Sequence, residues 1–253
     1  MKNSRLKQAL IRYLFPYGSM RVIFAGRCLG MKVKLTRQMG HSILIGYERA
    51  NQNFLCAKIR PGMTIYDIGA NCGQMALFFA KCVANSGCVV AFEPIDILYD
   101  QLVCNGKLNG LNNLSFQKTA IGNANGKTVF LFSNTYPTMG KMQNTEPTIQ
   151  AVDYVEIAVE VKTLDSFLGQ LSPPHVIKID TEGSAGLVLE GALRTIQKHK
   201  PYFFIELHSP EERAVVQNYL GMAKYAIENL KGDKVCDLRQ EMASPIWCYK
   251  REE

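Results

Sequence analysis

An α/β fold built on a mostly parallel sheet is what this sequence predicts, and three observations carry that prediction. From residue 64 onward, short apolar runs of strand length alternate with runs of helical periodicity, the pattern of a parallel sheet covered by helices on both faces. The first such strand, 64–68, runs into the glycine turn Asp67-Ile-Gly69-Ala70-Asn71-Cys-Gly73 and then into a helical segment. A second apolar strand ends in Glu93, 26 residues after Asp67. Strand, glycine turn, helix and a carboxylate closing the next strand make up the mononucleotide half of a Rossmann-like sheet.

The elements follow in order. Leu6, Ala9, Leu10, Tyr13 and Leu14 recur at helical spacing among Lys2, Arg5, Lys7 and Arg12, a short basic amphipathic helix ending near Pro16. Residues 33–36 and 42–45 read as a small hairpin, so 1–45 form a basic extension packed on or beside a domain spanning 46–253. A helix over 49–59 closes at Pro61-Gly62. Strands at 64–68, 88–92, 114–118, 176–180 and 202–208 alternate with helices over 74–83, 96–109, 187–199 and 210–220. Residues 127–133 and 155–163 read as an inserted β-hairpin, with a substrate lid expected over 134–150. Strands at 225–228 and 245–250, the last antiparallel, complete a seven-stranded sheet.

Composition narrows the class. Hydrophobic residues make up 47% of the 253 and charged residues 20%, ordinary for a soluble globular domain. No apolar run approaches the ~20 residues that cross a bilayer, and no secretory signal is evident, so a cytoplasmic location is expected. Eight cysteines without a C-x-x-C pair read as reduced, buried thiols. Charge is uneven: residues 1–47 hold nine Lys or Arg and no acid, while the other 20 basic residues face 22 acids. The net +7 therefore comes from the N-terminal fifth. Contact through residues 1–37 with something anionic is expected, a membrane at its inner face or a charged carrier, against a merely solvated arm.

The glycine spacing is Asp-x-Gly-x-x-x-Gly, not the three-glycine turn that grips a pyrophosphate. A nucleoside cofactor without phosphate suits it, and S-adenosyl-L-methionine (SAM) is such a cofactor. Asp67 can receive turn N–H groups or the methionine amine, and Gly69 and Gly73 keep side chains off the loop. Asn71 tolerates a left-handed turn, and Glu93 can grip two ribose hydroxyls.

Further motifs stand in order along the chain: Gly46-Tyr47-Glu48, Asp67-Ile-Gly-Ala-Asn71-x-Gly73, Phe92-Glu93-Pro94, Leu102-x-x-Asn105, Ala120-Ile121-Gly122, Lys178-Ile-Asp180-Thr-Glu182-Gly183 and Ile205-Glu206-Leu207-His208. On these the chain resembles the FkbM family of SAM-dependent methyltransferases over residues 46–208. The resemblance implies the class I methyltransferase fold and O-methylation of a hydroxyl, on a sugar, glycolipid or secondary metabolite. It also implies cofactor contacts from Tyr47, Glu48, Asp67, Gly69, Ala70, Asn71, Gly73, Glu93, Pro94, Asn105, Ala120, Ile121 and Asp180.

Strand alternation puts Lys178 and Asp180 on one face, with Glu182 just beyond, where open parallel sheets bind substrates. If the strands at 176–180 and 202–208 lie in register by their motifs, Lys178 meets Glu206 as a structural ion pair and Asp180 meets His208. Asp180, Glu182 and His208 are the candidate catalytic groups, any of which could be the base. No metal is expected; a hard-cation site at Asp180 and Glu182 is the alternative. Acidic residues around the pocket, and the absence of an Asn/Asp-Pro-Pro-Tyr motif, count against nucleic acid as acceptor. A small molecule or glycan is favoured, and a non-catalytic SAM-binding module is the remaining alternative.

Overall fold

The structure, a computed structural model, describes residues 13–37, 39–46, 48–133, 141–142, 154–240 and 244–250. Of the sequence-derived features, Tyr47, most of the basic helix and most of the 134–150 lid lie outside them. The strands are β1 Met20–Val22, β2 Lys32–Lys34, β3 Thr64–Ile68, β4 Cys88–Phe92, β5 Leu114–Gln117, β6 Ala120–Ile121, β7 Gly126–Ser133, β8 Lys141–Met142, β9 Tyr154–Lys162, β10 Val176–Ile179, β11 Tyr202–Ile205, β12 Tyr225–Asn229, β13 Lys234–Val235 and β14 Ile246–Lys250. The helices are α1 Arg49–Lys58, α2 Gln74–Val83, α3 Asp96–Leu108, α4 Ala185–Glu190, α5 Leu193–His199 and α6 Pro210–Met222.

The main sheet has eight strands in the order β13-β12-β14-β11-β10-β3-β4-β5. The five at the β5 end run parallel, and β14 enters antiparallel to β11, as the sequence suggested. The two-residue edge strand β13 is the addition to the expected seven; so short a run carries no periodicity signal. Side-chain alternation splits the interior into two cores. Ile65, Val89, Ala91 and Phe204 face α2, α3 and the N-terminal extension. Tyr66, Val90, Phe92, Phe203 and Ile205 face α4 to α6. Phenylalanines 78, 79, 203 and 204 are fully buried, each contributing roughly 1.5–3 kcal/mol.

Two local expectations fail for identifiable reasons. Residues 42–45 form a short 3₁₀ helix, His41–Ile45, between Gly40 (φ 67°) and Gly46 (φ 77°), not a strand. The hairpin is β1 with β2 instead. The expected helix over 187–199 breaks into α4 and α5 at Gly191. A Cβ there would come within 1.9 Å of the Gly122 carbonyl, so the chain turns where the inserted sheet presses on it. That inserted sheet is four-stranded, β6-β9-β7-β8.

The extension is fastened by the side-chain amides of Asn105 in α3 and Asn109 just past its end. Asn105 Oδ1 accepts the Lys34 N–H at 3.0 Å, and Asn109 bonds both the N–H (2.8 Å) and the carbonyl (2.7 Å) of Lys32. These side chains stand in for a third strand on the free edge of β2.

Candidate active site

The carboxyl ends of β3, β4, β10 and β11 open onto three connected clefts. The first has apolar walls from Phe92, Leu98, Ala120, Ile121 and Phe130, with Glu93 and Pro94 at one end. The Glu93 carboxylate accepts the N–H of Asn71 at 2.8 Å and of Ile95 at 3.0 Å. Burial pushes its pKa up to about 7, against the pull of those two bonds. The hydroxyl oxygens of Thr181 and Ser184 are buried here without a hydrogen-bond partner. Unsatisfied hydroxyls beside apolar walls fit a flat, polar-edged ring system, as adenosine is. Neither serine nor threonine was singled out from sequence, because a hydroxyl's missing partner has no one-dimensional signature. Phe130 was missed because it belongs to the inserted sheet.

The second cleft lies towards the extension, lined by Met39, Ser42, Glu48, Ala70, Lys178 and Glu206, and shares Gly69, Asn71, Asp180 and Glu182 with the first. The third runs between the β6–β7 turn and helices α4 and α6, past Asn123, Asn125, Thr128, Glu190 and Ser209. It meets the second at Glu182 and His208.

At that junction His208 Nε2 lies 3.0 Å from Asp180 Oδ1, and Nδ1 lies 3.5 Å from Glu182 Oε2. Burial opposes the imidazolium, but Asp180 and Glu182 outweigh it and raise the pKa to about 9. Burial likewise opposes the Asp180 carboxylate, yet Lys178 and His208 hold it at about 2. Glu182 is raised by burial, with His208 pulling the other way. Its backbone is left-handed, φ 49°, uncommon for a residue with a side chain. The three predicted catalytic groups therefore meet, with donor atoms within 4.8 Å of one another, close enough to share a divalent cation.

The predicted Lys178–Glu206 pairing needs correcting. The register sets Lys178 opposite Asp67 in β3 and Phe204 in β11, two residues short of Glu206. Lys178 Nζ lies 3.3 Å from both Asp67 Oδ1 and Asp180 Oδ2 and donates to the Gly69 carbonyl at 3.1 Å. Glu206 instead accepts from Asn51 Nδ2 at 3.2 Å, which also donates to Glu48 at 2.7 Å. Burial and the nearby Asp180 push Glu206 up to about 7.

Three residues expected to contact the cofactor, Asp67, Gly73 and Asn105, do not line the first or second cleft. Asp67 is fully buried beneath the turn in its ion-pair contact with Lys178. Asn105 is buried and joins Lys34 to the Cys72 carbonyl, supporting the turn from below. Gly73 is left-handed (φ 88°) and leaves room for Leu102, which a Cβ would meet at 2.6 Å. Gly69 does line both clefts, but its missing Cβ avoids the Asp180 carbonyl, 2.0 Å away at φ 74°. Gly69→Ala should thus combine a backbone clash with left-handed strain and cost roughly 1–3 kcal/mol or more, read by urea denaturation. Asn71 holds the expected left-handed turn, φ 51°.

Glu93, Glu206 and His208 all bind protons more tightly folded than unfolded. The stability each contributes is complete below its unfolded pKa and lost as pH rises through the folded one. Melting temperature should fall from pH 4.5 to about 7 through the two glutamates, and from 6.5 to about 9 through His208. His208→Gln should flatten the upper window.

Comparison with known proteins bears on this geometry. The family profile described as "Methyltransferase FkbM domain" matches residues 67–235. A methyltransferase FkbM from Methylobacillus flagellatus KT superposes with TM-score 0.51 at 18% identity, over 74% of this chain and 43% of that one. This chain thus spans less than half of that protein's length. A candidate rRNA methylase from Clostridium thermocellum superposes with TM-score 0.50 at 12% identity, over 80% and 95% of the two chains. At such identities the likeness speaks to fold alone. No curated protein matches the sequence.

Proposed function

This chain belongs to the FkbM methyltransferase family and uses S-adenosyl-L-methionine, and on that premise we propose that it methylates a hydroxyl of a sugar, glycolipid or secondary metabolite. The observation that carries this reading is the Glu182–His208 pair at the meeting point of the clefts. Bound SAM supplies an already activated methyl group. The chain's own residues need only place the acceptor oxygen and accept its proton, contributions of up to ~7–11 kcal/mol and ~10²–10⁴-fold.

The first cleft suits adenosine, with Ala120 and Ile121 against the base and Glu93 at the ribose. Glu48, Ala70 and Asn71 stand where the amino-acid portion would lie, and the surrounding carboxylates suit a cationic ligand. Lys178 and His208 make Asp180 a weaker base, and the neighbouring carboxylates make His208 hold its proton more tightly. Glu182, desolvated and facing three clefts, is left as the base. The Asn, Thr and Ser side chains of the third cleft suit a polyhydroxylated acceptor.

A second reading rests on the 4.8 Å grouping of Asp180, Glu182 and His208, in which a divalent cation binds the acceptor oxygen and lowers its pKa. Activity abolished by a chelator and restored by Mg²⁺ would select it.

The test is transfer from labelled SAM into glycolipid, polysaccharide and nucleic-acid fractions. Label confined to nucleic acid would overturn the sugar, glycolipid or metabolite acceptor. Glu93→Gln should weaken SAM binding by about tenfold to 100-fold, as expected for losing a charged hydrogen-bond acceptor. Calorimetry giving unchanged affinity would remove Glu93 from the cofactor site.

A further inference from the structure

Among the described residues, fourteen large hydrophobic side chains are exposed, and eight of them lie between Tyr13 and Ile45. The hairpin makes the pattern specific. Along β1 and just beyond it, Ile23 is buried while Met20, Val22 and Phe24 face outward; along β2, Val33 is buried and Lys32 and Lys34 face outward. Register sets Met20 across from Lys34 and Val22 across from Lys32. A two-stranded sheet with one solvated face is ordinarily polar on that face. Here Met20 is 66% exposed, Phe24 53% and Leu29, in the connecting turn, 59%. Arg27 and Arg37 are exposed nearby, and the first 47 residues contain no acid.

We propose that the outer face of residues 13–45 docks this protein on an anionic membrane. Apolar side chains that enter the headgroup boundary, interleaved with lysines that meet lipid phosphates, are what such a surface requires. The lysine stems can lie along the neighbouring apolar groups with their amines at the headgroups. A nucleic-acid surface would leave aliphatic Met20, Val22 and Leu29 without partners, since phosphates take only the basic residues. A second copy of the chain would set like charges against like. Hydrogen bonds from the Asn105 and Asn109 side-chain amides hold the face on the core. Met39 and Ser42 of the same extension line the second cleft, so docking brings that cleft close to the lipid.

The test is co-sedimentation of the full chain with phosphatidylcholine vesicles, with and without phosphatidylglycerol. Binding is expected only with the anionic lipid and should weaken as salt rises. It should drop at least about tenfold in the triple variant Met20→Ser/Phe24→Ser/Leu29→Ser and in Lys32→Glu/Lys34→Glu. SAM affinity by calorimetry should stay at the parent value in both, since these side chains point away from the core. No sedimentation of the parent would overturn the proposal, as would equal binding to neutral vesicles or undiminished binding by the variants. Dimerisation lost in the same variants, or RNA shifted in preference to lipid, would assign the face to another partner and overturn it too. A parent that sediments but binds no SAM would instead undermine the cofactor assignment and leave the docking intact.

Discussion

Lys178→Met should cost about 3–5 kcal/mol of stability, the penalty for removing one partner from a buried ion pair. The lysine is 3% exposed and Asp67 is 0%, so water cannot take over its role. Methionine fills most of the same volume and leaves the packing of β10 nearly intact. What it removes is the positive charge between Asp67 and Asp180 and the bond to the Gly69 carbonyl. Asp67 would then be left buried without its cation and beside Asp180, and would have to take up a proton. Because that proton binds the folded form more tightly, the variant's stability should recover at acid pH and fall as pH rises, the sign linkage requires. Urea denaturation at acid and alkaline pH reads both effects. Adding Asp67→Asn should return part of the loss by removing the uncompensated charge. A loss below about 1 kcal/mol for Lys178→Met would mean that water reaches the site and that the ion pair is no structural hub.

The same lysine marks how far sequence alone could go. Its strand, its place on one face with Asp180, and the acids Asp67 and Glu93 at the ends of neighbouring strands were legible, because period-two alternation and strand-end position are local properties. Asp180 does meet His208, but that expectation came from an alignment of the two strands that the register overturns. The lysine's partner was not legible. Aligning Lys178-x-Asp180 with Glu206-x-His208 by motif placed β10 and β11 two residues out of their true register. Register is decided by packing across strands, which a single sequence does not display. Asn105 was legible as a fixed point but not as a fastening for β2, because its partners Lys34 and Cys72 lie 71 and 33 residues away. The 3₁₀ turn at His41–Ile45 escaped for a different reason. A run of three apolar residues fits a buried strand or a buried turn equally well, and only the positive φ angles of Gly40 and Gly46 decide between them.

Glu182→Gln should lower kcat by about 10²–10⁴-fold while leaving SAM affinity within about twofold, because a positioned base contributes to the transition state and not to cofactor binding. Glutamine keeps the length and a hydrogen-bond acceptor for His208 but cannot take a proton. His208→Gln separates this from the competing assignment. Were His208 the base, activity would climb with pH until the imidazolium at about 9 gave up its proton, and this variant would be the deader of the two. With Glu182 as base, the parent's kcat should show an acid limb and no alkaline rise, the carboxyl being raised by burial and pulled back by the adjacent imidazolium. His208→Gln removes that opposing charge, so Glu182 should become harder to ionise and the acid limb should move upward. An unchanged limb with a lost alkaline rise would transfer the role to His208. The direction of the limb thus identifies the base even where both variants are slow, since it reads which group gives up its proton as activity appears.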